Sequence, residues 1–280
     1  MALENKTVSF IGSGVMAEAI IKGLLNQKLL TADQMIAADP REDRGRELED
    51  RYHLHFTTDN AEAARAADIL VLATKPQVIG HVFGSLDGKS HQASLVLSIL
   101  AGVRISTLME GTGNRCIVRA MPNTPAQIGE GITVWTATPE VPESERQQAK
   151  MLLGALGEEL FMDDEKFLDM ATALSGTGPA YVFLFMEALI DAGVHMGFSR
   201  RDAERLVLQT VRGSVDYAQK SGLHQAELRN QVTSPGGTSA EALYQLEKGG
   251  IRTVLSRAVY AAYRRSVELG KAQEKKRDND

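Results

Sequence analysis

Apolar residues follow two regimes along this chain, and the change between them falls near Asp163-Asp164-Glu165. Before it, short apolar runs alternate with polar, helix-favouring stretches. Thr7–Ile11, Met35–Ala38, Ile69–Ala73, Leu95–Ile99 and Ile117–Met121 read as strands. Unbroken apolar runs such as Ile69-Leu70-Val71-Leu72-Ala73 suit a strand buried on both faces of a parallel sheet. Gly131–Thr136 adds a further strand, and Glu159–Met162 closes this half. Glu18–Asn26, Glu47–Tyr52, Asn60–Ala66 and Ser144–Leu156 favour helices. Strand and helix alternating in this way predict an α/β fold with a doubly wound sheet.

From Lys166 onward apolar residues recur at three- and four-residue steps and no strand stands out. Leu206, Val207, Thr210, Val211 and Val215 mark one face of a helix that Ser199 is placed to cap. Leu243, Leu246, Val254, Leu255, Val259 and Tyr263 continue the theme. Proline and glycine break it at Val232–Ser239, and Ala240-Glu241-Ala242-Leu243 reads as the start of a new helix. Phe183, Phe185, Met186, Leu189 and Ile190 fall on more than one side of a single helix. Such a helix needs a second covering layer, either a partner subunit or a compact cap within one monomer. The expected division is 1–164, 165–270 and a charged tail, 271–280, expected to be disordered.

Composition narrows the function. A chain of 280 residues with a formal net charge of -5 and no basic stripe argues against nucleic-acid binding. Cys116 is the only cysteine, so no internal disulfide can form, as in a reducing compartment. The six histidines are scattered, and no metal site is expected. The first residues lack an apolar signal core, and the longest apolar stretch, Ala180–Met186, is far short of a membrane span. A cytoplasmic protein without a membrane partner is the expectation.

Candidate chemistry sits at both ends of the chain. Gly12-Ser13-Gly14-Val15-Met16-Ala17 follows the first strand and opens a helix, which is the dinucleotide fingerprint with Ala in the third glycine position. Gly12 permits the tight turn, Gly14 lets the backbone approach a pyrophosphate, and Ala17 keeps the helix close to the sheet. Asp39, after the second strand, can accept from a ribose 2′-OH, or simply cap the following turn. Arg41 and Arg44 pull the other way, toward a 2′-phosphate. Either NADH or NADPH therefore suits the site. Lys75-Pro76 follows an apolar strand and reads either as part of the cofactor cleft or as an ordinary helix entry. Ser234-Pro235-Gly236-Gly237-Thr238-Ser239 offers hydroxyls and helix-start amides to a small anion such as a carboxylate; a plain helix-breaking loop would use similar residues.

With both ends in view, the chain resembles the pyrroline-5-carboxylate reductase family, enzymes that make L-proline by reducing a cyclic imine. The likeness runs from Phe10–Ala17 through Ala73-Thr74-Lys75-Pro76, Ala101-Gly102-Val103, Met121–Pro125 and Leu174–Tyr181. It is most specific at Leu228–Ser239, where Ser239 replaces the family's usual Thr and keeps the hydroxyl. The resemblance implies a Rossmann-type domain followed by an all-α C-terminal dimerisation domain. It also implies a homodimer assembling to a decamer, and the last step of proline biosynthesis as the activity. By position, Gly12, Ser13, Gly14, Val15 and Met16 would hold the cofactor diphosphate. Asn60 would reach the adenosine side, Ala73 and Lys75 would line the cleft, and Ala101 and Asn123 would lie near the nicotinamide. Thr172 would face the substrate nitrogen, and Ser234, Gly236, Gly237, Thr238 and Ser239 would bind the carboxylate of 1-pyrroline-5-carboxylate.

The chemistry fits the residues. A protonated imine accepts hydride without a strong general acid, and no obvious His or Lys acid stands in the apparent active region. A hydroxyl such as that of Thr172 can orient the nitrogen, or can merely pack against a helix carbonyl. The nearest enzyme alternative, a 3-hydroxyacid dehydrogenase, carries a catalytic Lys soon after its Gly-rich helix start. Here Gly176-Thr177-Gly178 leads into Pro179-Ala180-Tyr181 with no such Lys. A nucleotide sensor that kept the fold without catalysis is the alternative from another class.

Overall fold

The computed structural model describes the backbone of residues 3–277. Eight strands form one sheet: β1 (Val8–Ile11), β2 (Met35–Ala38), β3 (His55–Thr57), β4 (Ile69–Leu72), β5 (Leu95–Ser98), β6 (Ile117–Met121), β7 (Gly131–Ala137) and β8 (Gly157–Phe161). Their spatial order is β3-β2-β1-β4-β5-β6-β7-β8. The first six run parallel, β7 is antiparallel to β6, and β8 is parallel to β7. Strand order reverses between β1 and β4, which makes a crevice at their carboxyl ends.

Helices cover both faces. α1 (Val15–Asn26) and α6 (Glu143–Gly154) lie on one side, where Ile20, Leu24, Leu152 and Leu153 pack with Phe10, Val71 and Leu97. On the other, α3 (Asn60–Ala66), α4 (Ile79–Ser85) and α5 (Ile105–Thr112) bring Ala63, Val82 and Leu108 against Leu70, Leu72 and Val96. Successive residues of β4 thus feed opposite cores, which is why its sequence is apolar without alternation. α2 (Glu42–Tyr52) joins β2 to β3.

Several boundaries differ from the sequence expectation. α1 begins at Val15, three residues before Glu18, because Gly14 is its N-cap. α2 begins at Glu42 rather than Glu47; its polar first turn carries no apolar periodicity to signal it. β3 has no counterpart in the sequence pattern, being a three-residue edge strand with half-exposed side chains. α4 and α5 are also unsignalled: Gly80 and Gly84 weaken the one, and Thr107, Gly111 and Thr112 the other.

A buried charge cluster ties the sheet to the helix after β8. Arg119 on β6 is 3% exposed and donates to Glu165 (2.6 Å), which also accepts the Ile105 amide at the start of α5 (2.8 Å). Asp169 on α7 (Lys166–Ala171) stands 4.0 Å from the same guanidinium. Its carboxylate accepts from Ser266 (2.7 Å).

The chain through Thr177, with the final helix from Ala262, forms one compact unit, and Gly178–Ala261 forms a second. The second contains α8 (Gly178–His195), α9 (Arg200–Ser221), α10 (Gln225–Gln231), α11 (Thr238–Lys248) and the first part of α12 (Ile251–Arg277). Ser199 caps α9 through the Asp202 amide, as expected. α8 meets α9 at small residues: a Cβ on Gly193 would lie 3.0 Å from that of Ala203. Gly193 is the sole fully buried residue of α8, and Phe183, Leu184, Phe185 and Leu189 are exposed. The helical run Lys166–His195 is long and apolar enough, by length and composition, to cross a membrane, although the unbroken apolar stretch within it is short. α12 continues to Arg277, so Lys271–Arg277, expected to be disordered, extends a helix through strong helix formers. Residues 278–280 of that tail lie outside the described residues.

Candidate active site

The glycine-rich turn leaves β1 where the sheet order reverses. Gly12 has φ +93°, and a Cβ there would lie 2.7–3.0 Å from Thr74 and Ala73, so only glycine fits. Gly14, in contrast, faces open space: an added Cβ meets nothing within 4 Å. No side chain caps α1 at Gly14, and the amides of its first turn have no intrahelical carbonyl to reach. Beside the turn, the buried Thr74 hydroxyl lacks a partner among the described residues. An open Gly14, free helix-start amides and an orphaned hydroxyl suit an anionic dinucleotide.

Ser13 is held from both sides. Its amide donates to Asp39 Oδ2 (3.0 Å), and its carbonyl accepts from Arg44 Nε (2.9 Å). Asp39, 6% exposed, also accepts from the Arg41 amide (3.2 Å), Nε (2.9 Å) and Nη2 (3.2 Å). Burial pushes the Asp39 carboxyl up, but the Arg41 guanidinium and the Ser13 and Arg41 amides outweigh it and hold it below its ordinary value. Arg44, which its sequence position suggests as a phosphate clamp, is instead committed to Ser13, Glu18 and Glu47. Arg41 keeps an exposed guanidinium.

The remaining cofactor candidates in this unit follow the carboxyl ends of parallel strands. Asn60, after β3, opens α3 and donates to Ser85 (2.8 Å). Ala73 follows β4, and Lys75 is exposed at the N-cap of the short 3₁₀ turn that Pro76 begins. Ala101 stands in the turn after β5, beside Gly102 with φ +73°. Asn123, after β6, donates to the Ser175 carbonyl (3.2 Å) and accepts the Ile132 amide (3.0 Å). It therefore fastens a π-helical turn, Thr172–Gly176, to the end of β6. Such turns recur at functional sites. Thr172 opens this one and donates its hydroxyl to Leu168 O (2.7 Å). Its proton is thereby committed, and its lone pairs remain free to accept.

The Ser234–Ser239 loop lies in the second unit. Gly236 has φ +70°, and Gly237 is the N-cap of α11, where a Cβ would sit 2.4 Å from Ser234 Oγ. The helix begins at Thr238, two residues before the expected Ala240, so the hydroxyls of Thr238 and Ser239 stand in its first turn. Among the described residues no group of His, Cys, Asp and Glu could hold a metal ion.

Two family models match the chain: pyrroline-5-carboxylate reductase dimerisation over residues 165–269, and NADP oxidoreductase, coenzyme F420-dependent, over residues 7–102. A pyrroline-5-carboxylate reductase from Synechocystis sp. is 42% identical over 264 residues, covering 94% of this chain and 98% of its own. One from Pseudomonas aeruginosa is 39% identical, covering 95% and 98%. The chain belongs to the pyrroline-5-carboxylate reductase family. Among solved structures, the Plasmodium falciparum pyrroline carboxylate reductase with NADP bound superposes with a TM-score of 0.87 at 35% identity, covering 95% of this chain and 99% of that one. The family's fold matches the expectation: a Rossmann-type α/β domain followed by a helical dimerisation domain. The hydroxyacid dehydrogenase alternative is set aside by the same full-length matches.

Proposed function

We infer that this chain reduces 1-pyrroline-5-carboxylate to L-proline with NADPH or NADH, the last step of proline biosynthesis. Full-length membership in the reductase family carries this conclusion. When bound, the reduced nicotinamide supplies the hydride that the imine carbon accepts. The protein's part is binding and alignment. Gly12–Met16 receive the diphosphate, Gly12 and Ser13 shaping the turn while the amides of Gly14, Val15 and Met16 face the ligand, with Asn60 on the adenosine side and Arg41 and Asp39 near the ribose. Ala73, Lys75, Ala101 and Asn123 line the cleft toward the nicotinamide. Thr172, with its own proton given to Leu168, accepts from the N–H of the protonated imine and holds the ring in register. Ser234, Gly236, Gly237, Thr238 and Ser239 receive the carboxylate at the start of α11.

The division 1–164 and 165–270 separates cofactor binding from substrate binding and dimerisation. The exposed apolar side chains of α8 form the dimer contact rather than a membrane span, and the dimers stack to a decamer in the cytoplasm. Nucleic acid and membrane play no part. The test is purified protein with 1-pyrroline-5-carboxylate and either cofactor, following cofactor oxidation and identifying the product. Failure to form L-proline with both would overturn the reading.

A further inference from the structure

The turn that receives the diphosphate is braced by a four-charge cluster beneath it. Arg44 and Arg51 of α2 each bridge the same two carboxylates, Glu18 of α1 and Glu47 of α2. Tyr52 Oη also donates to Glu18 (2.8 Å). The Arg44 side chain is 13% exposed, and all three of its donor nitrogens are engaged. Two go to the carboxylates; Nε goes to the carbonyl of Ser13, between the two glycines of the turn.

We propose that Arg44 is a positioning residue for the cofactor-binding turn, acting through its hydrogen bond to the Ser13 carbonyl. Gly12 and Gly14 give this turn more conformational freedom than any other residues would, and binding must remove that freedom. Asp39 fixes the peptide before Ser13 and Arg44 fixes the one after it. Both planes are set before ligand arrives, leaving Gly14 and the first amides of α1 open. A planar guanidinium suits this task because one group reaches a carbonyl and two carboxylates together; a lysine ammonium lacks the fork. Arg44 and Arg51 also offset Glu18, a negative charge in the first turn of α1 that would otherwise oppose a diphosphate.

The proposal rests on the cofactor reading above, and its test is cofactor binding without imine. Dissociation constants for NADPH and NADH are measured on the full-length protein, Arg44→Lys and Glu47→Gln, well below each melting temperature. Arg44→Lys should weaken both cofactors about tenfold and by the same factor, since the diphosphate is common to them. At saturating cofactor its kcat should match the parent's. Glu47→Gln, on the outer surface of α2, should give a smaller loss in the same direction. It decides the matter if Arg44→Lys fails to fold. A purely structural role would lower the melting temperature and leave both constants unchanged, which overturns the proposal alone. Parent protein that binds neither cofactor overturns the cofactor reading, and this proposal with it.

Discussion

At the residue scale, the structure separates groups committed to partners within the protein from groups left open. Asp39 looks from sequence like a ribose acceptor, yet its oxygens are taken by Ser13 and Arg41. Arg41→Ala should therefore lower catalytic efficiency with NADPH more than with NADH, while Asp39→Ser should weaken both by releasing the Ser13 amide. Steady-state kinetics with the two cofactors checks this; an unchanged ratio in Arg41→Ala would assign the 2′-position elsewhere. Thr172→Val keeps the volume and removes the hydroxyl. Loss of one oriented hydrogen bond should cost about 1–3 kcal/mol in the barrier, with cofactor affinity retained. Parent-level turnover in that variant would reduce Thr172 to a helix-packing residue. Gly12 and Gly14 were legible because turn chemistry is local. The commitments of Asp39 and Arg44 were not, since they join residues 26 and 31 positions apart.

Elements whose apolar pattern is unambiguous could be read directly: β1, β2, β4, β5 and β6 all appear where short apolar runs predicted them. β3, α4 and α5 escaped because edge exposure or internal glycine removes the pattern, and their partners are distant in sequence. The union of α1 with α2 was equally hidden, since it is made by charges. It carries its own pH signature. Burial raises the Glu18 carboxyl, but hydrogen bonds from Arg44, Tyr52 and Arg51 more than offset this and leave it below its ordinary value. A carboxyl depressed in the folded state stabilises the fold above its unfolded value and loses that contribution as pH falls through the folded one. Urea midpoints of the parent and Glu18→Gln should differ by a constant amount around neutral pH. The gap should shrink as pH falls from the ordinary carboxylate value toward the depressed one, and a gap that varies near neutrality would assign the pH response to another group.

For the whole molecule, the two substrate-side and cofactor-side loops lie in different compact units. We propose that in the dimer the Ser234–Ser239 loop of one protomer completes the pocket beside its partner's cofactor. Gly14→Asp fills space that the protein itself leaves open, so it should fold but exclude the diphosphate. Gly237→Val brings a branched side chain against Ser234 and should disable the carboxylate loop. Each should be inactive alone. Random coexpression should restore about a quarter of parent activity, because half the dimers are mixed and each mixed dimer has one intact site. Stable mixed dimers without activity would mean a site built within one chain. The change in periodicity points to a boundary near residue 164, whereas the first compact unit runs through Thr177 and regains the chain at Ala262, a return no local pattern signals. Ser266 bonds Asp169, and Gly270 would place a Cβ 3.2 Å from the Gly102 carbonyl, beside Ala101. The surface beside Gly102 thus receives its cover from Leu269 and Gly270, far later in the chain. During synthesis that surface must stand uncovered while about a hundred and seventy further residues emerge, for many seconds at ordinary elongation rates of roughly 5–20 residues per second.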